Sequence, residues 1–147
     1  MYIYLGLRDG QATRKLSTGE TLRFSYVENE INGDATLIKP DGSEEHLNFH
    51  QGSKHGQAEE HFKDGSKEIR NYDHGVIQGP AILEGCNGDK LEFSYQNGKK
   101  FGGMIYYFHD GCIERSFFDE NGLQSGPTQF TWPNGAKREG HKVKFFD

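Results

Sequence analysis

Histidine is the residue type in this sequence with the widest range of chemistry, because a neutral imidazole nitrogen is a common metal ligand. Four of the seven histidines lie close together in the sequence, at His46, His50, His55 and His61. Their spacings straddle a strand, a loop and the next strand, and no cysteine lies near them. His46 and His50 share a sheet face but sit too far apart along the strand for one ion. The sequence therefore predicts exposed histidines, with no metal site and no cofactor.

A second combination of residues is typical of nucleophilic catalysis. Cys112 follows His109 and Asp110, which together offer a nucleophile and a base. However, this group spans an Asp-Gly hairpin tip, an exposed place with nothing to fix a catalytic geometry. The acidic pairs at 44–45 and 59–60 are poor acid/base partners, because adjacent strand residues point to opposite faces. We therefore expect no catalytic residues and no enzymatic activity.

The charge balance bears on the choice of partner. Seventeen Lys and Arg against 22 Asp and Glu give a net charge of -5, which argues against broad nucleic-acid or anionic-membrane binding. The C-terminal segment is locally basic. It is either a solvated end of the fold or a patch for acidic protein, phospholipid or nucleic acid. The candidate patch consists of Lys137, Arg138, Lys142 and Lys144.

The elements that position these residues are predicted by the glycines, which recur at a fixed period. Of the 20 glycines, 17 fall into three series with a spacing of 23 residues, or 24 near the C-terminus. Such a period indicates a repeat architecture. The first series marks the repeat starts at 10, 33, 56, 79, 102 and 126, the second lies nine residues later, and the third lies four residues before the next start.

Turn chemistry identifies the repeated unit. Most glycines of the second series follow Asp or Asn, and Asp-Gly or Asn-Gly is typical of two-residue type I′ hairpin turns. The flanking residues alternate as strands do, for example Leu22, Phe24 and Tyr26. Each repeat is therefore predicted to be one β-hairpin, followed by a short loop such as 97–100. The fifth repeat carries one extra residue within 119–126.

An aromatic residue recurs every 23 residues in the second strand of each hairpin. Stacked hairpins align these side chains into an aromatic ladder on one sheet face. The ladder either packs between repeats or forms an apolar groove for a partner peptide. Its members are Tyr26, Phe49, Tyr72, Tyr95 and Phe118.

These patterns predict a single all-β domain over residues 1–147, with a half-repeat at 1–9 and six hairpins in one elongated, twisted antiparallel sheet. The two edges of such a sheet are capped, exposed or paired in a homodimer. Cys86 and Cys112 form no CxxC motif or disulfide framework, which favours an intracellular protein, nuclear or cytoplasmic.

The repeated unit resembles the MORN repeat over essentially the whole chain. Clear instances are the segments 126–135 (GPTQFTWPNG) and 95–102 (YQNGKKFG). The chain departs from that family at its usual strand tyrosine. That position holds Leu22, Glu45, Glu68, Leu91, Glu114 and Arg138.

Three segments carry a closer resemblance, namely 79–81 (GPA), 105–111 (IYYFHDG) and 119–122 (DENG). They resemble the N-terminal MORN region of SET-domain histone lysine methyltransferases, whose catalytic domain uses S-adenosylmethionine. No catalytic motif of that family occurs in this chain. The resemblance implies a non-catalytic module for protein interaction or scaffolding, in the role of an accessory domain. The alternative is a peripheral membrane module, because MORN proteins are often linked to phospholipids.

Overall fold

The computed structural model describes residues 9–142 and forms one open antiparallel sheet of sixteen strands. The described residues contain no helix, and therefore none that could cross a membrane. The predicted all-β sheet of consecutive hairpins is confirmed, while most of the predicted half-repeat 1–9 lies outside the described residues. The strands are β1 (Gly10–Lys15), β2 (Thr21–Val27), β3 (Glu30–Ile31), β4 (Gly33–Ile38), β5 (Glu44–His50), β6 (Ser53–Lys54), β7 (Gly56–His61), β8 (Lys67–Asp73), β9 (Val76–Ile77), β10 (Gly79–Glu84), β11 (Lys90–Gln96), β12 (Lys99–Lys100), β13 (Gly102–Tyr107), β14 (Ile113–Phe118), β15 (Gly126–Thr131) and β16 (Lys137–Lys142).

The strands follow one another through the sheet in chain order. Twelve long strands form the main path from β1 to β16, and the two-residue strands β3, β6, β9 and β12 each pair with the strand before them. Within a hairpin the pairing is complete, as in the six pairs of β4 with β5. Between hairpins only three pairs form, as between 21–23 and 36–38. Neighbouring hairpins therefore separate towards the repeat starts.

The hairpin tips differ from the predicted type I′ turns. In the second tip, the amide of Gly42 donates to the carbonyl of Lys39 (3.0 Å), and Lys39 donates to Ser43 (2.9 Å). Gly42 has a φ of +93°, while Asp41 has no positive φ. This is a type I turn followed by a bulge glycine. Asp41 is suited to the tip for another reason, because its Oδ1 accepts the amide of Ser43 (2.8 Å).

The type I′ geometry lies instead at the opposite ends of the strands, where a short loop was expected. Gln96 pairs with Lys99, and the two residues between them, Asn97 and Gly98, have φ values of +52° and +82°. Positive φ at both central residues defines the type I′ turn. The equivalent positions 28–29, 51–52 and 74–75 share this conformation.

The extra residue of the fifth repeat changes the type of the turn at these strand ends. The amide of Gly122 donates to the carbonyl of Asp119 (2.9 Å), and the amide of Asp119 donates to Leu123 (2.8 Å). This is the hydrogen-bond pattern of the hairpin tips. Loop length therefore selects the turn, as hairpin geometry requires.

The periodic glycines are the residues that need positive φ. Sixteen described glycines have a positive φ, and they are the sixteen described members of the three periodic series. Gly85, Gly103 and Gly140, which lie outside the series, are not among them. The period in the sequence thus records a backbone requirement.

The two faces of the sheet differ in burial. Alternate strand residues, such as Phe24, Leu47 and Phe93, form what we call the core face, and the residues between them form the open face. The core face carries two clusters of buried apolar side chains. One runs from Leu22 to Tyr72 and the other from Ala81 to Phe118.

Replacing Gly98 by Ala tests the turn assignment. No atom lies within 4 Å of a Cβ added there, so the cost is the positive φ alone. We expect a loss of about 1–2 kcal/mol in the free energy of unfolding, measured by urea titration. The control is Gly103→Ala, whose Cβ would lie 3.9 Å from Phe117 Cε1 in ordinary contact. A loss at Gly98 no larger than that of the control contradicts the assignment.

Candidate functional site

Three glutamates lie side by side on the core face, between the two apolar clusters. In the sheet register, Glu45 is directly opposite Glu60, and Glu60 is opposite Glu68. Their exposed fractions are only 1%, 4% and 6%. Like charges directly across a sheet repel one another, and burial increases the cost. This glutamate row therefore requires cations close by.

Arg70 supplies the central cation. It lies on β8 two residues after Glu68 and is 8% exposed. Its guanidinium donates to Glu45 Oε2 from Nη2 (2.6 Å), to Glu60 Oε1 from Nη2 (2.7 Å) and to Glu68 Oε2 from Nη1 (2.8 Å). A planar, always charged group with five N–H donors suits this role. One side chain thus joins three strands, β5, β7 and β8.

Four further side chains complete the network at its rim. Lys39 Nζ lies 2.7 Å from Glu60 Oε2, and Lys54 Nζ lies 3.9 Å from Glu45 Oε1. The hydroxyl of Tyr72 donates to Glu45 (2.7 Å), and that of Tyr95 donates to Glu68 (3.0 Å). Three carboxylates therefore face three cations.

The pKa directions reflect this pairing. Burial alone lowers the pKa of Arg70, but the hydrogen bonds that it donates to its glutamate partners, and their negative charge, raise it overall. Burial raises the pKa of Glu60, yet hydrogen bonds from Lys39 and Arg70 outweigh it and lower the pKa below 4.5. The pKa of both Tyr72 and Tyr95 rises through burial and the adjacent glutamates. The buried charged groups are bonded to one another, which suits a structural role.

Sequence reasoning missed this network, although the repeat contained its signal. Glu45 and Glu68 stand where Leu22 and Leu91 stand in other repeats, and Arg70 stands where Phe93 does. Charge at a position that is apolar in other repeats was the available clue. The two adjacent acidic pairs, 44–45 and 59–60, do point to opposite faces of the sheet, as expected. What the spacing did not show is that Glu45 and Glu60 meet across strands.

A smaller polar cluster joins two hairpin tips. Asp89 Oδ2 accepts the hydroxyl of Tyr106 (2.7 Å), and Asp89 Oδ1 accepts the backbone amide (2.9 Å) and ring Nδ1 (2.8 Å) of His109. Hydrogen bonds from Tyr106 and His109 lower the pKa of Asp89, and Asp89 in turn raises the pKa of both partners. Burial raises the pKa of the nearby Cys112 thiol, which disfavours the reactive thiolate.

The aromatic ladder lies on the core face. Phe49, Tyr72 and Phe118 are buried. Tyr26 and Tyr95 are partly buried and pack against the two apolar clusters. The ladder residues are therefore occupied mainly by contacts within the sheet.

The predicted basic patch is divided by the sheet. Lys137 and Arg138 are exposed neighbours on β16, and adjacent strand residues point to opposite faces. The backbone of Lys142 ends this strand, opposite Gly126, and Lys144 lies outside the described residues. β1 and β16 form the two edges of the described sheet.

An apolar hollow of about 490 Å³ opens on the open face where the fourth and fifth hairpins meet. Phe117, which is 47% exposed, lies over Gly103, the residue opposite it in the register. Ile82 and Ile105 also line the hollow. The register places Glu92 between these two isoleucines and Arg115 on the other side of Ile105. We call this surface the apolar hollow.

An equivalent hollow of about 500 Å³ occupies the same place in the first two hairpins. Its lining is polar, with Thr13 and Thr36 in place of the two isoleucines. The position equivalent to Phe117 holds Asn48. The fold therefore supplies the hollow in both places, and the repeat sequence sets its chemistry. Sequence reasoning had not singled out either surface.

The structure groups the histidines differently from their order in sequence. His46 lies against His61, with ring centroids 5.3 Å apart. The ring centroid of His55 lies 5.8 Å from that of His50 and 5.7 Å from that of His74. All of these side chains are exposed.

The fold and these surfaces define the class of protein as an open antiparallel sheet of 23-residue hairpin repeats. No protein-family model and no curated protein matches the chain. Solved structures similar to it include the TCP domain of Drosophila melanogaster SAS-4 (dCPAP) in complex with a proline-rich motif of Ana2 (dSTIL), with 12% identity, 90% of each chain covered and a TM-score of 0.44. Another is the G-box domain of the microcephaly protein CPAP, with 16% identity, 92% of this chain and 82% of that chain covered and a TM-score of 0.33. At these scores, neither likeness supports a conclusion about this chain.

Replacing Arg70 by Met tests the glutamate row. The variant leaves three buried carboxylates without their central cation, so we expect a loss of about 3–5 kcal/mol in the free energy of unfolding at neutral pH. Urea titration followed by circular dichroism measures it. The matched control is Arg23→Met at an exposed strand position, with an expected change within about 0.5 kcal/mol. Equal losses in the two variants would show that Arg70 has no special role.

The stability of the protein should also depend on pH through Glu60. Its folded pKa is lowered, so the stability that it contributes is present above pH 4.5 and is lost as the pH falls through the folded pKa. We expect the urea midpoint to fall as the pH is lowered from about 5 to about 3. The fall should be smaller in Glu60→Gln, which cannot take up that proton. The same fall in both proteins would contradict this assignment.

Proposed function

We propose that this chain is a non-catalytic protein-interaction module of the MORN type, with the apolar hollow as its contact surface. The observation that carries the proposal is the exposure of Phe117 on the open face, in a hollow that Ile82 and Ile105 also line. Large apolar side chains grouped on a surface are typical of interaction sites. An aromatic anchor flanked by an arginine has the composition of an interface centre.

The chemistry of the other polar groups supports a non-catalytic role. The four charged groups of the glutamate row and Arg70 are buried and bonded to one another, which leaves no base or acid poised for a substrate. Asp89 is held by Tyr106 and His109 in bonds that join two hairpin tips. A raised thiol pKa at Cys112 argues against a nucleophile there.

The shape of the hollow favours an extended peptide as its occupant. It lies across β10, β11, β13 and β14 and is open to solvent along the sheet. Ile82 and Ile105 offer aliphatic contact, while Glu92 and Arg115 offer one charge of each sign. We infer a partner segment with a large apolar anchor and polar flanks. The most concrete form of this function is an accessory domain beside a lysine methyltransferase domain, as the resemblance of 105–111 and 119–122 implies.

Replacing Phe117 by Ser tests the contact surface, because it installs the residue that the first and fourth repeats carry. Peptides selected from a displayed random library against the chain should carry an apolar anchor. Their affinity for Phe117→Ser should fall by at least about tenfold, or 1.4 kcal/mol, by fluorescence anisotropy. The matched control is Ser25→Ala in the polar hollow, which should bind these peptides as tightly as the unmodified chain.

Two results would overturn this function. The first is selection of peptides that bind Phe117→Ser with unchanged affinity. The second is failure of any peptide to bind, combined with low-salt binding to phosphatidylcholine vesicles that contain phosphatidylinositol bisphosphate. That second result would favour the membrane alternative. The separation of Lys137 and Arg138 onto opposite faces speaks against it.

A further inference from the structure

Two histidines and an aspartate from successive repeats lie close together at the strand ends that the type I′ turns connect. His55 lies between β6 and β7, Asp73 ends β8, and His74 opens the next type I′ turn. Each offers one ligand atom, and these atoms lie within 4.8 Å of one another. The ring centroid of a third histidine, His50, lies 5.8 Å from that of His55. The stacking of successive hairpins thus brings His55 close to Asp73 and His74, which follow it by 18 and 19 positions in the sequence.

The backbone holds this group in place. The amide of Gly75 donates to the carbonyl of Lys54 (2.9 Å), so the residues just before His55 and just after His74 are directly hydrogen-bonded. His74 itself has a φ of +49°, the left-handed conformation that the type I′ turn requires. The positions of the two histidines relative to each other are therefore set by the hairpin stacking. Only their exposed side chains remain to be arranged.

The donor atoms suit a transition-metal ion. Imidazole nitrogen and carboxylate oxygen are the ligands that Zn²⁺ takes at about 2.0–2.2 Å, with three protein ligands and an open position as one common arrangement. Ligand atoms within 4.8 Å need only rotamer changes to reach that distance from one ion. Asp73 Oδ1 lies 2.6 Å from His74 Nδ1, so the carboxylate and the imidazole are already adjacent, and an ion bound by both would replace this hydrogen bond. The net charge of -5 also favours a cation.

We propose that His55, Asp73 and His74 form a divalent transition-metal site, with Zn²⁺ as the best match. The ion joins two successive repeats across their turns and leaves a position open to solvent or to a donor from a partner. The proposal is independent of the apolar hollow, which lies in the fourth and fifth hairpins. It departs from the sequence prediction of no metal site, because His74 became a neighbour of His55 only on folding.

Calorimetric titration of chelator-treated protein with zinc chloride near neutral pH tests the site. We expect one saturable site, weakened by about tenfold or more in His55→Ala and in His74→Ala. The matched control is His46→Ala, which removes an exposed histidine that also contacts another ring but lies outside the group of three. That control should bind zinc as the unmodified protein does.

A second measurement reports the link between repeats. Zinc should raise the thermal midpoint of the unmodified protein and of His46→Ala, but not that of His55→Ala, because an ion bound only by the folded state stabilises it. Binding should also weaken at acid pH, where protons compete for the imidazole nitrogens. Absence of saturable binding, or equal weakening in His46→Ala and His55→Ala, would overturn the proposal.

Discussion

Positive φ at a few fixed positions of the repeat is the constraint on which the rest of this structure depends. A 23-residue unit that reverses direction twice needs positive φ at the tip, at the opposite turn and at the repeat start, and a glycine occupies most of these places. Side chains other than glycine rarely adopt that conformation. Once these positions are fixed, the strands can have only one register. The register then decides which side chains share a face.

The glutamate row is a consequence of that register. The same strand position that carries leucine in the first and fourth repeats carries Glu45 and Glu68 in the second and third, so the scaffold itself has no need of charge there. A buried ionic network of this kind is weak evidence for net stability, since well-packed apolar residues often serve as well. Its clearest effect is coupling, because Arg70 joins carboxylates from three strands. In a repeat sheet whose units contact only their neighbours, that coupling binds the second and third hairpins into one unit.

Comparison of the two hollows shows that the fold determines their shape and that the residues at variable positions determine their chemistry. Both arise on the open face and have nearly equal volumes. One is lined by Ile82, Ile105 and Phe117, and the other has Thr13 and Thr36 at the positions of the two isoleucines. Function in a repeat protein is therefore set by the variable positions of a constant scaffold. The group of His55, Asp73 and His74 at the type I′ turns follows the same rule. His74 occupies a position that is Gln51 or Asn97 in the neighbouring repeats.

The sequence by itself determined the repeat period, the hairpins, the alternation of faces and the glycine positions, because each depends on local conformation and a period of two along a strand. It did not determine the turn types. Asp-Gly predicted type I′ at the tips, whereas Asp41 accepts a backbone amide and only Gly42 takes positive φ. The tertiary structure alone brought Glu45 to Glu60, Phe117 over Gly103, and His55 to His74. These contacts join residues on different strands or turns, and their distances depend on hairpin stacking, which no local pattern in the chain encodes.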